Sequence, residues 1–123
     1  SFYSSLLANL LPAGVTSAIA ESDCPKVFVP NLGQDPEQIG MTLEDSVTTL
    51  LKYLKAGNAK DCPNRKLLNF ILMDENKSRY SSRLTAKFRK DLGIRVVSTR
   101  LVSRRSDPYY DPKLLVAALL SFT

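Results

Sequence analysis

Residues 26–54 constrain the fold more than any other stretch of this chain. Val27-Phe28-Val29 is a short apolar strand signal, and residues 30–40 are a polar loop containing Pro30, Gly33, Pro36 and Gly40. Thr42 then opens a helix, with Asp45 three residues on, the spacing of a capping box. Leu43, Val47, Leu50, Leu51 and Leu54 follow at i, i+4, i+7, i+8 and i+11. That stripe covers one helix face and needs a core to bury it. A strand feeding a helix through a Gly- and Pro-containing loop is where open α/β sheets place their ligands.

The remaining chain extends the same alternation. Ser4 or Ser5 can cap a first helix bearing Leu6, Leu7, Leu10 and Leu11, which Pro12 and Gly14 interrupt. A second helical piece carries Val15, Ala18 and Ile19 and ends near Ser22. After the 42–56 helix, which stops at Gly57-Asn58, the apolar run 67–73 reads as a parallel strand covered on both faces. Tyr80, Leu84 and Phe88 at i, i+4 and i+8 predict a helix closed by Gly93, with Arg79, Arg83, Lys87 and Lys90 as a basic stripe beside them. Residues 94–102 read as a third strand. Asp111-Pro112 supplies an N-cap and an N1 proline for a last helix burying Leu114, Leu115, Ala118, Leu119 and Phe122. Strands alternating with helices predict βαβ units, right-handed crossovers and a mostly parallel sheet in an α/β three-layer sandwich. Three strands make a small sheet with an apolar edge to cover, which suggests part of a larger domain.

Charge and composition narrow the function classes. The net charge is +5, and ten Lys or Arg lie in residues 77–105 against the single acid Asp91. Such a segment favours an anionic partner or simply a solvated face. Only Tyr80 and Phe88 interleave with it, both on the expected core face, so the stacking platform of a single-strand nucleic-acid binder is missing. No apolar run reaches bilayer length, and no membrane partner is expected. Residues 1–20 are apolar, but they lack a positive n-region and are broken at Pro12-Ala13-Gly14, which argues against a signal peptide. A chain that starts inside a larger protein is the expectation. With no histidine, neither a Cys/His zinc pattern nor a Ser-His or Cys-His nucleophile can be assembled. Cys24 and Cys62 read as ordinary thiols of a cytoplasmic protein, although one disulfide between them is open.

Three groups of polar residues are candidates for chemistry. Ser1, Ser4 and Ser5 cluster at a helix start, where free N–H groups favour a phosphate or plain N-capping. Asn31, Gln34, Asp35 and Glu37 sit in the loop after the first strand, suited to hydrogen-bond a sugar or base, or to satisfy their own turns. Asp74 and Glu75 end the second strand, where they could meet a metal or hydroxyl or act as caps. Arg104, Arg105 and Asp107 precede the last helix and could reach a diphosphate or face water. No P-loop or complete dinucleotide fingerprint is present.

Read together, three of these segments resemble the YvcK/CofD family of α/β proteins. Residues 1–11, Ser-Phe-Tyr-Ser-Ser-Leu-Leu-Ala-Asn-Leu-Leu, are similar to the helix that follows the family's phosphate-site motif, and Pro12-Ala13-Gly14-Val15 to its continuation. Residues 31–42 resemble the YvcK-like loop, and Tyr110-Asp111-Pro112 its His-Asp-Pro before the last helix. The chain departs from the pattern in lacking the glycine after the loop proline and in carrying Ile39, Met41 and Tyr110 where the family has Asp, Tyr and His. The resemblance implies that residues 1–123 are the C-terminal portion of a Rossmann-like domain whose N-terminal half carries the Gly-rich nucleotide loop. It also implies a homo-oligomeric, cytoplasmic regulator that binds a nucleotide or nucleotide sugar without turnover. Ser1, Ser4 and Ser5 would hold phosphate, and Asn9, Asn31 and Gln34 would shape the pocket, with no metal. The alternative it implies is a CofD-type transferase moving a phospholactyl group from a guanosine diphosphate donor to a deazaflavin, with magnesium.

Overall fold

Three parallel strands, β1 (Val27–Phe28), β2 (Phe70–Met73) and β3 (Arg95–Ser98), form one sheet in the order β1-β2-β3. The computed structural model describes every residue except Gln34, Lys60, Lys77 and Ser78. Phe28 pairs with Ile71, and β2 runs in register with β3 from Phe70 opposite Arg95 to Met73 opposite Ser98. The central strand is continuously apolar because both of its faces are covered. Ile71 and Met73 join the main core with Phe28 and the leucine stripe. Phe70, on the opposite face by the two-residue period, stacks at 4.5 Å on Phe122.

Helix α2 (Leu43–Ala56) is the helix expected from residues 42–56. Thr42 Oγ1 accepts the Asp45 N–H at 3.0 Å, and Asp45 Oδ2 accepts the Thr42 N–H at 2.9 Å, so the capping box is complete. All five stripe residues are buried, Val47 wholly so at 0% exposure. At the far end Gly57 closes the helix, and a Cβ there would lie 1.9 Å from Thr16 Oγ1. Helix α1 (Val15–Glu21) packs closely on this corner, with Thr16 buried and Ile19 partly buried against the core. Asn58 fastens the contact, its Nδ2 donating to the carbonyls of Thr16 and Leu54.

The N-terminal segment departs from the expected helix. Phe2–Leu6 is a π-helical turn and Leu7–Leu10 a 3-10 turn, so Ser4 and Ser5 lie inside the segment and Ser1 precedes it. Phe2 and Leu7 are the buried pair, while Leu11 is 68% exposed. A π turn has more residues per turn than an α-helix, which brings residues five apart toward one face. The helical axis then bends by 77° before α1, across the Pro12–Gly14 break.

Four further expectations are corrected. The run 67–73 is not one strand: α3 (Asn64–Leu67) takes its start, and Asn69 interrupts it by donating to the Arg65 carbonyl and accepting the Lys26 N–H. The helix expected from Tyr80 is confined to α4 (Ala86–Leu92), capped by Thr85 and closed by Gly93 at φ +69°. Residues 79–84 are held instead as a loop, in which Arg79 accepts the Gly33 N–H and Ser82 Oγ the Leu43 N–H. Only Lys87 and Lys90 of the basic stripe therefore lie on a helix. The third strand ends at Ser98, because the Leu101 and Val102 N–H groups turn to the Asp74 carboxylate. Finally, α5 (Pro112–Leu120) has the predicted Asp111 cap but none of its residues is buried. Val116 and Leu120 are 54% and 63% exposed, on a helix that is apolar on every side.

Candidate functional site

The carboxyl ends of β1 and β2 open onto two clefts that meet at Tyr80. The first, about 220 Å³, is lined among others by Phe28, Asn31, Asp35, Gln38, Ser46 and Tyr80. Its polar groups are arranged by the loop. Asp35 caps a 3-10 turn, Pro36–Gln38, by accepting the Glu37 N–H at 3.0 Å. Asn31 Nδ2 donates to Asp35 Oδ2 at 3.1 Å and to Gln38 Oε1 at 3.2 Å, and Gln38 Nε2 donates to Ser46 Oγ at 2.7 Å. Asp-Pro at a turn start is the same device that opens α5, with Pro at the first helical position.

The loop also closes over the N-terminal segment. Asp35 Oδ2 accepts the Phe2 N–H at 2.6 Å, and Glu37 Oε1 accepts the Tyr3 and Ser4 N–H groups at 2.8 and 3.0 Å. These are the free amides that a phosphate was expected to occupy; two carboxylates hold them. Burial opposes ionisation of Asp35, but the N–H groups of Glu37 and Phe2 outweigh it and hold its pKa below the ordinary value. The Ser4 N–H does the same for Glu37.

The structure brings most of the candidate residues together. Ser1 and Ser5 hydroxyls lie 2.5 Å apart, Ser4 Oγ donates to Ser1 Oγ, and Asn9 Nδ2 donates to the Ser5 carbonyl. Asn31 joins this cluster through Asp35, while Gln34 lies outside the described residues.

A hydrogen-bond chain links the strand ends to the start of α5. The Asp74 N–H donates to Tyr80 Oη at 2.8 Å, Tyr80 and Tyr110 hydroxyls meet at 3.0 Å, and Tyr110 donates to the Pro30 carbonyl at 2.5 Å. Since Tyr110 gives its proton to Pro30, Tyr80 must donate to Tyr110. Burial raises the pKa of both phenols by disfavouring the charged phenolate. Of these residues the sequence marked only Asp74 as a candidate; Tyr80 read as core and Tyr110 as a replacement for histidine. Asp74 is buried beneath it, its Oδ2 bonded to the Leu101 and Val102 N–H groups and 3.8 Å from Arg79 Nε. Arg79 also reaches Asp107, 3.5 Å from Nη1.

The second cleft, about 590 Å³, lies beyond Tyr80 at the end of β2, with Glu75, Ser82, Arg83 and Arg89 on its walls. Arg89 is ion-paired to Glu75 and donates from Nε to the Leu84 carbonyl. Arg83 is exposed and makes no ion pair with another described residue. Arg104 and Arg105 line neither cleft.

Magnesium, which the transferase alternative requires, finds no matching donor set. Among the described residues no group of three or more acids or cysteines could hold a metal ion. Asp74 is committed to backbone amides and Glu75 to Arg89, which leaves neither carboxylate free to ligate magnesium.

An open parallel sheet flanked by helices, with a hydrogen-bonded loop and two clefts at its strand ends, defines a Rossmann-like α/β protein. Residues 1–103 match the sequence model of the family described as 2-phospho-L-lactate transferase CofD, and the chain belongs to that family. The fold is similar to the crystal structure of a UPF0052 family member from Bacillus halodurans, at a TM-score of 0.73 and 22% identity. That similarity covers 98% of this chain and 40% of the other, so the chain spans less than half of its structural neighbour. No curated protein matches it. No single helix among the described residues is long and apolar enough to cross a membrane.

Proposed function

We propose that this chain forms part of a regulatory protein that binds a nucleotide sugar, with the 30–41 loop as one wall of the site. The observation that carries this reading is the first cleft. It lies at the carboxyl end of a parallel strand, where open α/β sheets bind ligands. Asn31, Gln38 and Ser46 give it neutral donors and acceptors, and Asp35 gives it a carboxylate, a set suited to sugar hydroxyls or a base edge. Ser1, Ser4, Ser5 and Asn9 extend that polar surface beyond Asp35. The short length relative to the structural neighbour and the uncovered α5 support a domain completed by an N-terminal half. A cytoplasmic homo-oligomer completes the proposal. Calorimetric titration with uridine and guanosine diphosphate sugars tests the binding: saturable heat is expected, and its absence with every such ligand contradicts the reading.

One observation favours a second reading. The family matched over residues 1–103 is described as a transferase. A phospholactyl transferase acting on a guanosine diphosphate donor and a deazaflavin acceptor would use the same clefts, with magnesium held by acidic residues of an N-terminal half. Phosphorus NMR of a bound donor, followed with and without the acceptor, separates the two. A donor that stays intact supports regulation, and conversion to guanosine monophosphate supports transfer.

A further inference from the structure

We infer that the second cleft, between Tyr80 and the start of α4, is an anion subsite that takes the phosphate or diphosphate of the ligand. This inference rests on the nucleotide-sugar reading for the ligand's identity, but the geometry that carries it is separate.

The first cleft has no lysine or arginine among its described lining residues, and Asp35 contributes a negative charge to it. The amides of Phe2, Tyr3 and Ser4 are satisfied by Asp35 and Glu37. A phosphate placed there would face two carboxylates and find no free N–H group on those three residues. Like charges at that distance disfavour it.

The second cleft has the opposite balance. Arg83 and Arg89 stand on its wall against one carboxylate, Glu75. Arg83 has no ion-pair partner among the described residues, so its guanidinium is available at once. Guanidinium groups match phosphate oxygens in two-pronged, charge-assisted contacts. Arg89 is already oriented by Glu75 and the Leu84 carbonyl, and an arriving anion competes with Glu75 for it.

Tyr80 lines both clefts, so they are neighbours. One ligand could therefore set hydroxyl or base groups against Asn31 and Gln38 and phosphate oxygens against Arg83 and Arg89. The hydrogen-bond chain from Asp74 through Tyr80 and Tyr110 to Pro30 would fix the divider between them.

Nitrogen-15 NMR of the protein titrated with inorganic pyrophosphate tests the subsite. Saturable shifts are expected at the side-chain Nε–H signals of Arg83 and Arg89 and at the Ser82 amide. Arg83→Gln is expected to weaken binding roughly tenfold, the size of one lost charge-assisted contact. Glu75→Gln, which frees Arg89, is expected to tighten it. Shifts confined to residues 1–5, an affinity unchanged in Arg83→Gln, or no saturation overturns the subsite. Calorimetry with diphosphate sugars keeps the two claims apart. Pyrophosphate at Arg83 without nucleotide-sugar heat leaves the subsite standing and removes the proposed ligand. Nucleotide-sugar heat undiminished in Arg83→Gln does the reverse.

Discussion

Tyr110 shows how much of this molecule depends on single hydroxyl groups. Its proton satisfies the carbonyl of the buried Pro30, and its oxygen receives the proton of Tyr80. Tyr110→Phe keeps the ring but leaves both partners short of a bond, so a loss of about 1–3 kcal/mol is expected by denaturant unfolding. Both phenols ionise less readily in the folded protein than in the unfolded chain. Their contribution to stability is therefore intact below pH 10, the ordinary tyrosine value, and falls as the pH rises past it. Thermal unfolding followed from neutral to strongly alkaline pH should show that decline, and Tyr110→Phe should blunt it. Asp35 has the opposite sign. Its folded pKa lies below 3.8, so its contribution is intact above that value and falls as the pH drops through the folded pKa. Asp35→Asn should flatten the acid side of the stability curve. Sequence made the local carboxylates legible, since Asp45 and Asp111 act within three residues of their partners. It hid those of Asp35 on Phe2 and Asp74 on Leu101, because only the folded chain brings these residues together.

Among the elements, α2 was readable in full because its cap, stripe and stop are all encoded in consecutive residues. Its corner with α1 was not readable, since nothing in the sequence marks Gly57 as a contact point. Gly57→Ala places a methyl group into Thr16, 1.9 Å from Oγ1 and 3.3 Å from Cβ. A destabilisation of about 1–3 kcal/mol is expected for such overpacking, with partial recovery in the double variant carrying Thr16→Ala. Periodicity misled at residues 80–88 because two real contacts, Tyr80 on the hydrogen-bond chain and Leu84 in the core, share helical spacing with α4 without belonging to it. It misled again at α5, whose leucines signal burial although the described residues supply little to bury them against. Leu120→Lys should therefore change the melting temperature of this chain very little, as expected for an exposed site.

At the scale of the whole molecule, the order of strands and helices was legible from alternating apolar segments, and with it the edge where ligands would sit. The two clefts were not, because they are built from loops whose residues are far apart in sequence. Their division of labour, neutral and acidic on one side of Tyr80 and basic on the other, is a property of the assembled chain. On the proposal above, one nucleotide-sugar ligand occupies the strand ends on both sides of Tyr80. Amide and side-chain NMR of the protein titrated with a uridine or guanosine diphosphate sugar addresses it directly. Saturable shifts are expected in the same titration at Asn31 and Gln38 and at Arg83 and Arg89. Shifts that map elsewhere, or none with any diphosphate sugar, would contradict it.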